Sequence, residues 1–270
     1  MNFQFVQPSG FLKNYIRRYC FMESDVHEGN VMERVIPVEN VQLMFHYKDS
    51  FVVCHSDYTI ARQPRSIISG LSNSFCDVST SGDAGVVFVA FYPAGACHFF
   101  DFPLSEIENQ SIDLSEIFNK EIKQVEETLY LKKSIQERVN VIEAFLLKNY
   151  SCFDPHEDLL IIRGVELIRQ YRGQISANTL SDTLSVTLKS LERKFSCRLG
   201  KTPKQYIKLV RFQETLTDFS KNKDINLTEY AYRNGYFDQA HFIKDFKAYS
   251  GYTPGEFILK YPDFSMDIPC

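Results

Sequence analysis

The sequence predicts an α+β chain of two domains, with a β-rich N-terminal half and an all-helical C-terminal half. Three observations predict this: the length of 270 residues, short runs of β-favouring residues before residue 100, and a helical repeat near the C-terminus. Domains usually contain about 100 to 200 residues, so the length fits two of them. The composition, 44% hydrophobic and 24% charged, is typical of globular proteins and excludes wholesale disorder.

The first element is a set of short strands between residues 31 and 92. Apolar and polar residues alternate over residues 41–47, and β-favouring runs occupy residues 51–55, 66–71 and 85–92. Turn signals such as Lys48-Asp49-Ser50 separate these runs. Many short strands in so short a stretch predict a small antiparallel barrel or sandwich.

The next element is a helical segment that begins after residue 100. Helix formers are dense from residue 104 to 148, and apolar residues at helical spacing predict a helix that ends near Asn149. This helix either packs against its own barrel or provides a dimer surface. Residues 149–156 mark a boundary, because they contain Pro155 and small polar residues without periodicity. We predict an N-terminal domain at residues 1–150, a linker at 151–157, a helical domain at 158–262 and a tail at 263–270.

The net charge changes sign at this boundary. The whole chain carries −4, but residues 1–159 carry −9 and residues 160–262 carry +7, with −2 in the tail. The mildly acidic total argues against a protein that coats nucleic acid, whereas a basic helical domain favours nucleic-acid binding by that part. An ordinary solvated surface would give the same charge, so the charge alone leaves both interpretations open.

The helical domain contains an internal repeat with a period of 51 residues. Each copy has an apolar helix face, a Gly that permits a left-handed helix end, and then a Thr N-cap with Pro at the first position of the next helix. Chemistry is preserved at seven paired positions, namely Leu191 and Phe242, Arg193 and Lys244, Phe195 and Phe246, Gly200 and Gly251, Thr202 and Thr253, Pro203 and Pro254, and Tyr206 and Phe257. The repeat predicts two units of helix, tight turn and helix.

A short helix and a turn precede each copy, at residues 179–187 and 228–238. Gly235 stands where a helix-turn-helix motif needs a positive φ, and Thr187 and Asp238 are natural N-caps for the helices that follow. In this motif the outward face of the second helix enters the major groove of DNA. Arg193 and Lys244 fall on these outward faces, where they are either groove contacts or solvated charges.

Residues 161–257 resemble the DNA-binding region of AraC/XylS-type transcriptional regulators, whose signature is two helix-turn-helix units joined by a long helix. The first unit departs from the family pattern at Ser181, at Ser185, which stands at the usual turn Gly, and at Glu192, whose carboxylate would repel phosphate unless it accepts from a cytosine amino group. The matching residues are Leu180, Thr187, Leu191, Arg193, Phe195, Gly200, Thr202, Pro203, Tyr206 and Arg211 in the first unit and Leu227, Ala231, Gly235, Tyr236, His241, Phe242, Phe246, Lys247, Gly251, Thr253 and Pro254 in the second.

The N-terminal half resembles the cupin-like regulatory domain of one branch of this family, through Pro8, Leu12, Ile16, Tyr19 and the segments at residues 91–95 and 102–104. The resemblance implies a cupin-like β-barrel with flanking helices that binds a small-molecule effector, forms a homodimer, or does both. For the whole chain it implies a cytoplasmic, sequence-specific DNA-binding transcription regulator. Its partners would be double-stranded promoter DNA and, if it is an activator, RNA polymerase.

The resemblance and the helix geometry together give the expected DNA contacts. An Arg side chain suits guanine and a Gln side chain suits adenine, because each offers a matching bidentate edge. The expected base contacts are Lys189, Ser190, Arg193, Gln239, Ala240, His241 and Lys244. The expected phosphate contacts are Thr187, Lys201, Lys204, Lys208, Arg211 and Lys247.

Signatures of other function classes are missing from the sequence. No HxH, HExxH, GxSxG, P-loop or dinucleotide fingerprint occurs, so we expect no enzyme activity, no metal and no cofactor. The seven cysteines form no CxxC pair, which fits reduced thiols in a cytoplasm, and no run resembles a signal peptide or a membrane span. The alternative function is a barrel that binds a small molecule, joined to a helical protein-interaction domain.

Overall fold

The structure, a computed structural model, describes residues 2–24, 32–80, 82–152, 154–221 and 226–262. Within them the N-terminal half is β-rich and the C-terminal half is helical, so the predicted two-domain α+β class is confirmed. The strands are β1 (Asn2–Val6), β2 (Ile16–Glu23), β3 (Met32–Val35), β4 (Gln42–His46), β5 (Val52–His55), β6 (Ile60–Arg62), β7 (Ser66–Ser69), β8 (Cys76–Ser79), β9 (Gly85–Phe91) and β10 (Ser111–Asp113).

These strands form two antiparallel sheets. The larger sheet has the order β1-β2-β9-β4-β7-β10, and the smaller has the order β3-β8-β5-β6. The four runs predicted as strands form β4, β5, β7 and β9. The sequence did not predict β2, because this strand lies between β1 and β9 with both faces buried from Tyr19 to Met22, and all four of these residues are apolar, so they do not alternate.

Alternation along β4 shows the two faces of the larger sheet. Leu43 and Phe45 point to one side, and Met44 and His46 point to the other. The first side is covered by α1 (Leu114–Phe118), α2 (Lys120–Leu131) and α3 (Ile135–Lys148). Phe145 of α3 lies edge-on to Phe45, with ring centroids 6.3 Å apart. The helix predicted to end near Asn149 is therefore α3, and its apolar face packs against its own domain.

The second side faces the smaller sheet. A small apolar cluster there contains Met44 and Phe51, and the ring of His46 lies edge-on to Phe51 with centroids 4.9 Å apart. His46 Nδ1 lies 3.2 Å from the backbone oxygen of Arg65. Because a carbonyl oxygen only accepts, Nδ1 carries the proton. Burial lowers the pKa of His46 to about 4, so the ring is neutral at neutral pH.

The helical domain confirms the predicted pair of units. It begins at Pro155, inside the stretch predicted as a linker, because Asp154 caps the helix by accepting from the backbone N–H of His156 at 2.9 Å, and Pro fits the first helical turn. The predicted tail at residues 263–270 lies outside the described residues. The helices are α4 (Pro155–Gln170), α5 (Ala177–Thr183), α6 (Leu188–Leu199), α7 (Pro203–Lys221), α8 (Leu227–Arg233), α9 (Gln239–Ser250) and α10 (Pro254–Lys260).

The turn after α6 docks on the N-terminal domain. Gly200 lies so close to Leu104 that a Cβ atom on it would come within 2.9 Å of the Leu104 carbonyl oxygen. The side chain of the next residue, Lys201, is fully buried, and its Nζ donates to Glu108 Oε1 at 2.9 Å and to Asn73 Oδ1 at 2.7 Å. These two acceptors compensate an ammonium group that has lost its hydration.

The turn after α9 docks at the equivalent position of the repeat. Gly251 packs against Arg34 of β3, and the Arg34 guanidinium lies 3.9 Å from the ring centroid of Phe75 and 4.3 Å from that of Tyr252. The two carboxylate oxygens of Asp77 accept from the same guanidinium, each at 2.8 Å. We call residues 200–201 and 251–252 the docking turns, since both units contact the N-terminal domain through them.

Glu108→Ala should lower the free energy of unfolding by roughly 3 kcal/mol, because it leaves the buried Lys201 ammonium with Asn73 as its remaining acceptor. Urea unfolding of the full chain measures this loss. The control is Glu106→Ala, which removes an exposed carboxylate from the same short turn and should change stability by less than about 0.5 kcal/mol. Equal losses in the two variants would contradict the role of the buried pair.

The chain should lose stability as the pH falls from 6.5 towards 4, and His46→Leu should remove the share of this loss that His46 contributes. His46 takes up a proton near pH 6.5 when unfolded but only near pH 4 when folded, so falling pH favours the unfolded state in this window. At about pH 4.5 the difference amounts to roughly 2 to 3 kcal/mol. Urea unfolding at about pH 7 and pH 4.5 measures it. Parallel pH profiles for the two proteins would refute the assignment to His46.

Candidate nucleic-acid interface

The first unit is formed by α5 and α6. Ser185 in the turn has a φ of 54°, the left-handed conformation that Gly usually supplies there. Thr187 caps α6, because its Oγ1 accepts from the backbone N–H of Ser190 at 3.2 Å. Leu191 and Phe195 are fully buried. The opposite face of α6 is therefore turned to solvent.

The second unit, formed by α8 and α9, has the same construction. Gly235 in the turn has a φ of 72°, and Asp238 caps α9 by accepting from the backbone N–H of His241 at 2.7 Å. Phe242 and Phe246 are fully buried. The predicted caps and the predicted buried faces of both units are thus present, and we call α6 and α9 the recognition helices.

Helix α7 contacts both recognition helices. Tyr206 packs edge-on against Phe195 of α6, with centroids 6.2 Å apart, and Phe212 packs against Phe246 of α9 at 5.4 Å. The helix has 19 residues and spans about 28 Å at its rise per residue. A single helix of roughly one DNA turn in length therefore fixes the positions of the two recognition helices.

The residues expected to contact bases all lie on the recognition helices. Among the described residues, the side-chain cations of Lys189, Arg193 and Lys244 have no ion-pair partner. Gln239 Oε1 accepts from Thr228 Oγ1 at 3.0 Å, and His241 Nε2 lies 3.3 Å from Asp245 Oδ2, so these two side chains are oriented by neighbours. The exposed members of the set are Lys189, Arg193, Gln239, Ala240 and Lys244, and the partly buried ones are Ser190 and His241.

The residues expected to contact phosphates divide into two groups. Lys204 and Lys247 are exposed, and Lys208 is half-buried with its Nζ 3.5 Å from Asp245 Oδ2. Thr187 is exposed, but its hydroxyl already caps α6. These four residues remain close to the outer surface of the two units.

Two residues expected to contact phosphates are held by partners within the protein. Lys201 is fully buried against Glu108, and the Nε and Nη2 atoms of Arg211 donate to the backbone oxygen of Gly173 at 2.9 and 2.8 Å. Arg211 therefore satisfies a carbonyl group in the turn after α4. The partners lie 93 and 38 residues away in sequence, so the local pattern around each cation carried no sign of them.

Two features beside α9 were not predicted from the sequence. The side chain of Phe237, in the turn before this helix, is 85% exposed. Its neighbour Tyr236 is buried, and sequence pattern alone does not distinguish the two rings. The second feature is an open groove at the N-terminal ends of α8 and α9, which is lined by Asn226, Leu227, Thr228, Glu229, Tyr232 and Gln239.

The described ranges contain neither a membrane-spanning helix nor a metal-binding cluster. None of the helices there is both long enough and apolar enough to cross a membrane. No cluster of three or more His, Cys, Asp or Glu side chains in those ranges is arranged to bind a metal ion. The described cysteines Cys20, Cys54, Cys76, Cys97, Cys152 and Cys197 are free thiols.

Parts of the chain match known families. A family described as "Helix-turn-helix domain" matches residues 180–259, and one described as "Domain of unknown function (DUF6597)" matches residues 4–113. The HTH-type transcriptional activator RhaS of Enterobacter sp. (strain 638) is 29% identical over 86 residues, which are 32% of this chain and 31% of the relative. The chain thus matches about a third of the length of this curated relative. The helix-turn-helix prediction is confirmed for the helical half.

Solved structures also resemble the chain. ToxT from Vibrio cholerae is 9% identical with a TM-score of 0.47, and the match covers 96% of this chain and 98% of ToxT. The C-terminal domain of AraT, a response regulator from Geobacillus stearothermophilus, is 20% identical with a TM-score of 0.36, over 41% of this chain and 88% of that one.

Arg211→Ala should lower the free energy of unfolding by roughly 1.5 to 3 kcal/mol, because the Gly173 carbonyl loses both donors of a charged group. Urea unfolding measures the loss. Lys204→Ala, on the same helix but exposed, serves as the control and should unfold like the wild type. Unchanged stability together with weakened DNA binding in Arg211→Ala would instead support the phosphate contact predicted from the sequence.

Proposed function

We infer that this chain, whose helical half matches a helix-turn-helix domain, is a sequence-specific DNA-binding transcription regulator of the AraC/XylS type. The observation that carries this inference is the exposure of Arg193 and Lys244 at equivalent positions of two recognition helices. The buried faces of both helices are fixed by the core, so the two cations point outward together. Two such helices can read two segments of one duplex.

In the proposed complex the recognition helices enter two successive major grooves on one side of the DNA, about 34 Å apart. Arg193 offers a bidentate edge to guanine, and Gln239, held by Thr228, offers one to adenine. Lys204 and Lys247 bind phosphates, which positions the protein without reading the sequence. Specificity then depends on a few side chains of α6 and α9.

We propose that an effector binds where the two sheets of the N-terminal domain face each other. Three buried polar atoms there have no hydrogen-bond partner: His46 Nε2, Gln63 Oε1 and Thr80 Oγ1. All three residues lie around Phe51, since His46 packs on its ring, the backbone N–H of Gln63 donates to its carbonyl oxygen, and Thr80 lies opposite it in the extended strand register. Buried polar atoms are rarely left unpaired, and neutral His46 Nε2 and the amide oxygen are both acceptors. An effector with hydroxyl or amine donors would satisfy them.

Two further partners belong to the proposal. The N-terminal domain forms a homodimer, and an activator of this kind contacts RNA polymerase in the cytoplasm. The alternative, a small-molecule barrel joined to a helical protein-interaction domain, predicts that the full chain has no affinity for DNA even at low salt.

Arg193→Ala should weaken binding by roughly 1 to 3 kcal/mol, and mainly at one base position, because a bidentate contact to one base pair is lost. Lys204→Ala should weaken binding to all sequences alike and reduce its salt dependence, because a phosphate contact is not sequence-specific. The measurement is the affinity of the full chain for a site selected from a random duplex library and for its single-base variants.

The two variants distinguish sequence-specific contacts to bases from non-specific electrostatic attraction to the DNA backbone. A uniform loss across all base variants in both mutants would refute the assignment of Arg193. Failure of the wild-type chain to select any sequence, with no affinity for DNA at low salt, would refute the proposed function and favour the alternative.

A further inference from the structure

Phe237 is an exposed aromatic residue held on a rigid turn. Its side chain is 85% exposed, whereas the other exposed phenylalanines among the described residues, Phe3, Phe5 and Phe11, are 37% to 46% exposed. The turn around it is closed by backbone hydrogen bonds from Gly235 to Tyr232 at 3.1 Å and from Tyr236 to Ala231 at 2.9 Å. The ring therefore stands at a defined place on the surface and is not part of a long loop.

That place is the end of α9 that enters the groove in the proposed complex. Phe237 directly precedes Asp238, the N-cap of α9, and the first two residues of the helix, Gln239 and Ala240, are exposed beside it. In helix-turn-helix proteins the N-terminal residues of the recognition helix contact the base edges. The ring of Phe237 therefore lies next to the residues expected to read bases.

The chemistry of the ring selects one feature of the major groove. The base edges there present hydrogen-bond donors and acceptors, apart from the C5-methyl group of thymine. A phenyl ring has no hydrogen-bond donor or acceptor. It therefore stabilises the complex by burying that methyl group, and this stabilisation is lost where the methyl group is absent. The ring can make this contact because it is exposed in the free protein.

The first unit lacks this feature. Its turn is one residue shorter, since Thr187 caps α6 two residues after Ser185, whereas Asp238 caps α9 three residues after Gly235. Val186 is therefore the counterpart of Tyr236, and the backbone N–H of each donates to the carbonyl oxygen five residues earlier. Val186 is only partly exposed and packs against the hydrophobic core. An apolar contact to a base is therefore available at the second recognition helix and not at the equivalent point of the first.

We propose that Phe237 is a specificity-determining residue of the second unit, which contacts the C5-methyl group of a thymine in the major groove. The proposal rests on the proposed function, since it assumes that α9 enters DNA. It adds a base-reading residue that lies before the helix and has no hydrogen-bonding group.

The test uses the full chain and duplex sites that it selects from a random library. Each thymine of the selected site is replaced in turn by deoxyuridine, which lacks only the methyl group. The wild-type chain should lose about fourfold in affinity at one position of the second half-site, the effect of one buried methyl group. Phe237→Ala should bind the thymine site less tightly and should show no further loss at the deoxyuridine site, whereas Phe237→Leu should keep part of the difference.

The matched control is Leu259→Ala. Leu259 is 84% exposed and belongs to the same half of the domain, but it lies on α10, away from the recognition helix. This variant should respond to deoxyuridine like the wild type. Its use excludes a general effect of removing an exposed apolar side chain.

Four outcomes would overturn the proposal. One is a Phe237→Ala protein that still distinguishes thymine from deoxyuridine at every position. Another is unchanged DNA binding with reduced transcription in a reconstituted assay, which would mean that the ring contacts a protein partner. If the wild-type chain selects no sequence at all, the proposed function fails with it, whereas sequence selection without a methyl effect refutes only the role of Phe237.

Discussion

The two docking turns are the contacts on which the arrangement of the whole molecule depends. They occupy equivalent positions of the repeat, and each directly follows a recognition helix. Gly200 and Gly251 have φ values of 80° and 77°, which end the helices, and each lies too close to the N-terminal domain to tolerate a Cβ atom. The same residue thus ends a recognition helix and lets the other domain approach its end.

Because both turns bind one domain, the recognition helices cannot change their orientation independently of it. The proposed effector site is connected to the second turn through β8, since Thr80 directly follows this strand and Asp77 within it binds Arg34. A shift of β8 would therefore move the guanidinium that stacks on Tyr252 at the end of α9. The first turn is held differently, by an ion pair whose Lys201 side chain has no solvent access, which favours one fixed geometry.

The sequence predicted those parts of the fold that are determined by residues close together in the chain. The caps at Thr187 and Asp238 and the positive φ at Gly235 depend on residues a few positions apart, and each was predicted. The repeat was predictable because its two copies carry similar residues 51 positions apart. Strand β2 was not, because burial on both faces removes the alternation that indicates a strand. The partners of Lys201 and Arg211, and the exposure of Phe237, depend on which distant segments fold against them. Local pattern carries no information about such contacts.

The charge of the helical domain shows how distant contacts change an interpretation based on sequence. Its +7 includes three cations that contribute little to a DNA-binding surface, because Arg169 pairs with Glu39, Arg198 with Glu157 and Lys201 with Glu108. Glu39 and Glu108 belong to the N-terminal domain and Glu157 to α4, so acids of the N-terminal domain neutralise two of these cations at the contact between the domains. The cations without an ion-pair partner among the described residues include Lys189, Arg193 and Lys244 on the recognition helices. Ion pairing within the protein thus removes several cations from the DNA-binding surface. The exposed cations that remain attract DNA and determine the salt dependence of its binding.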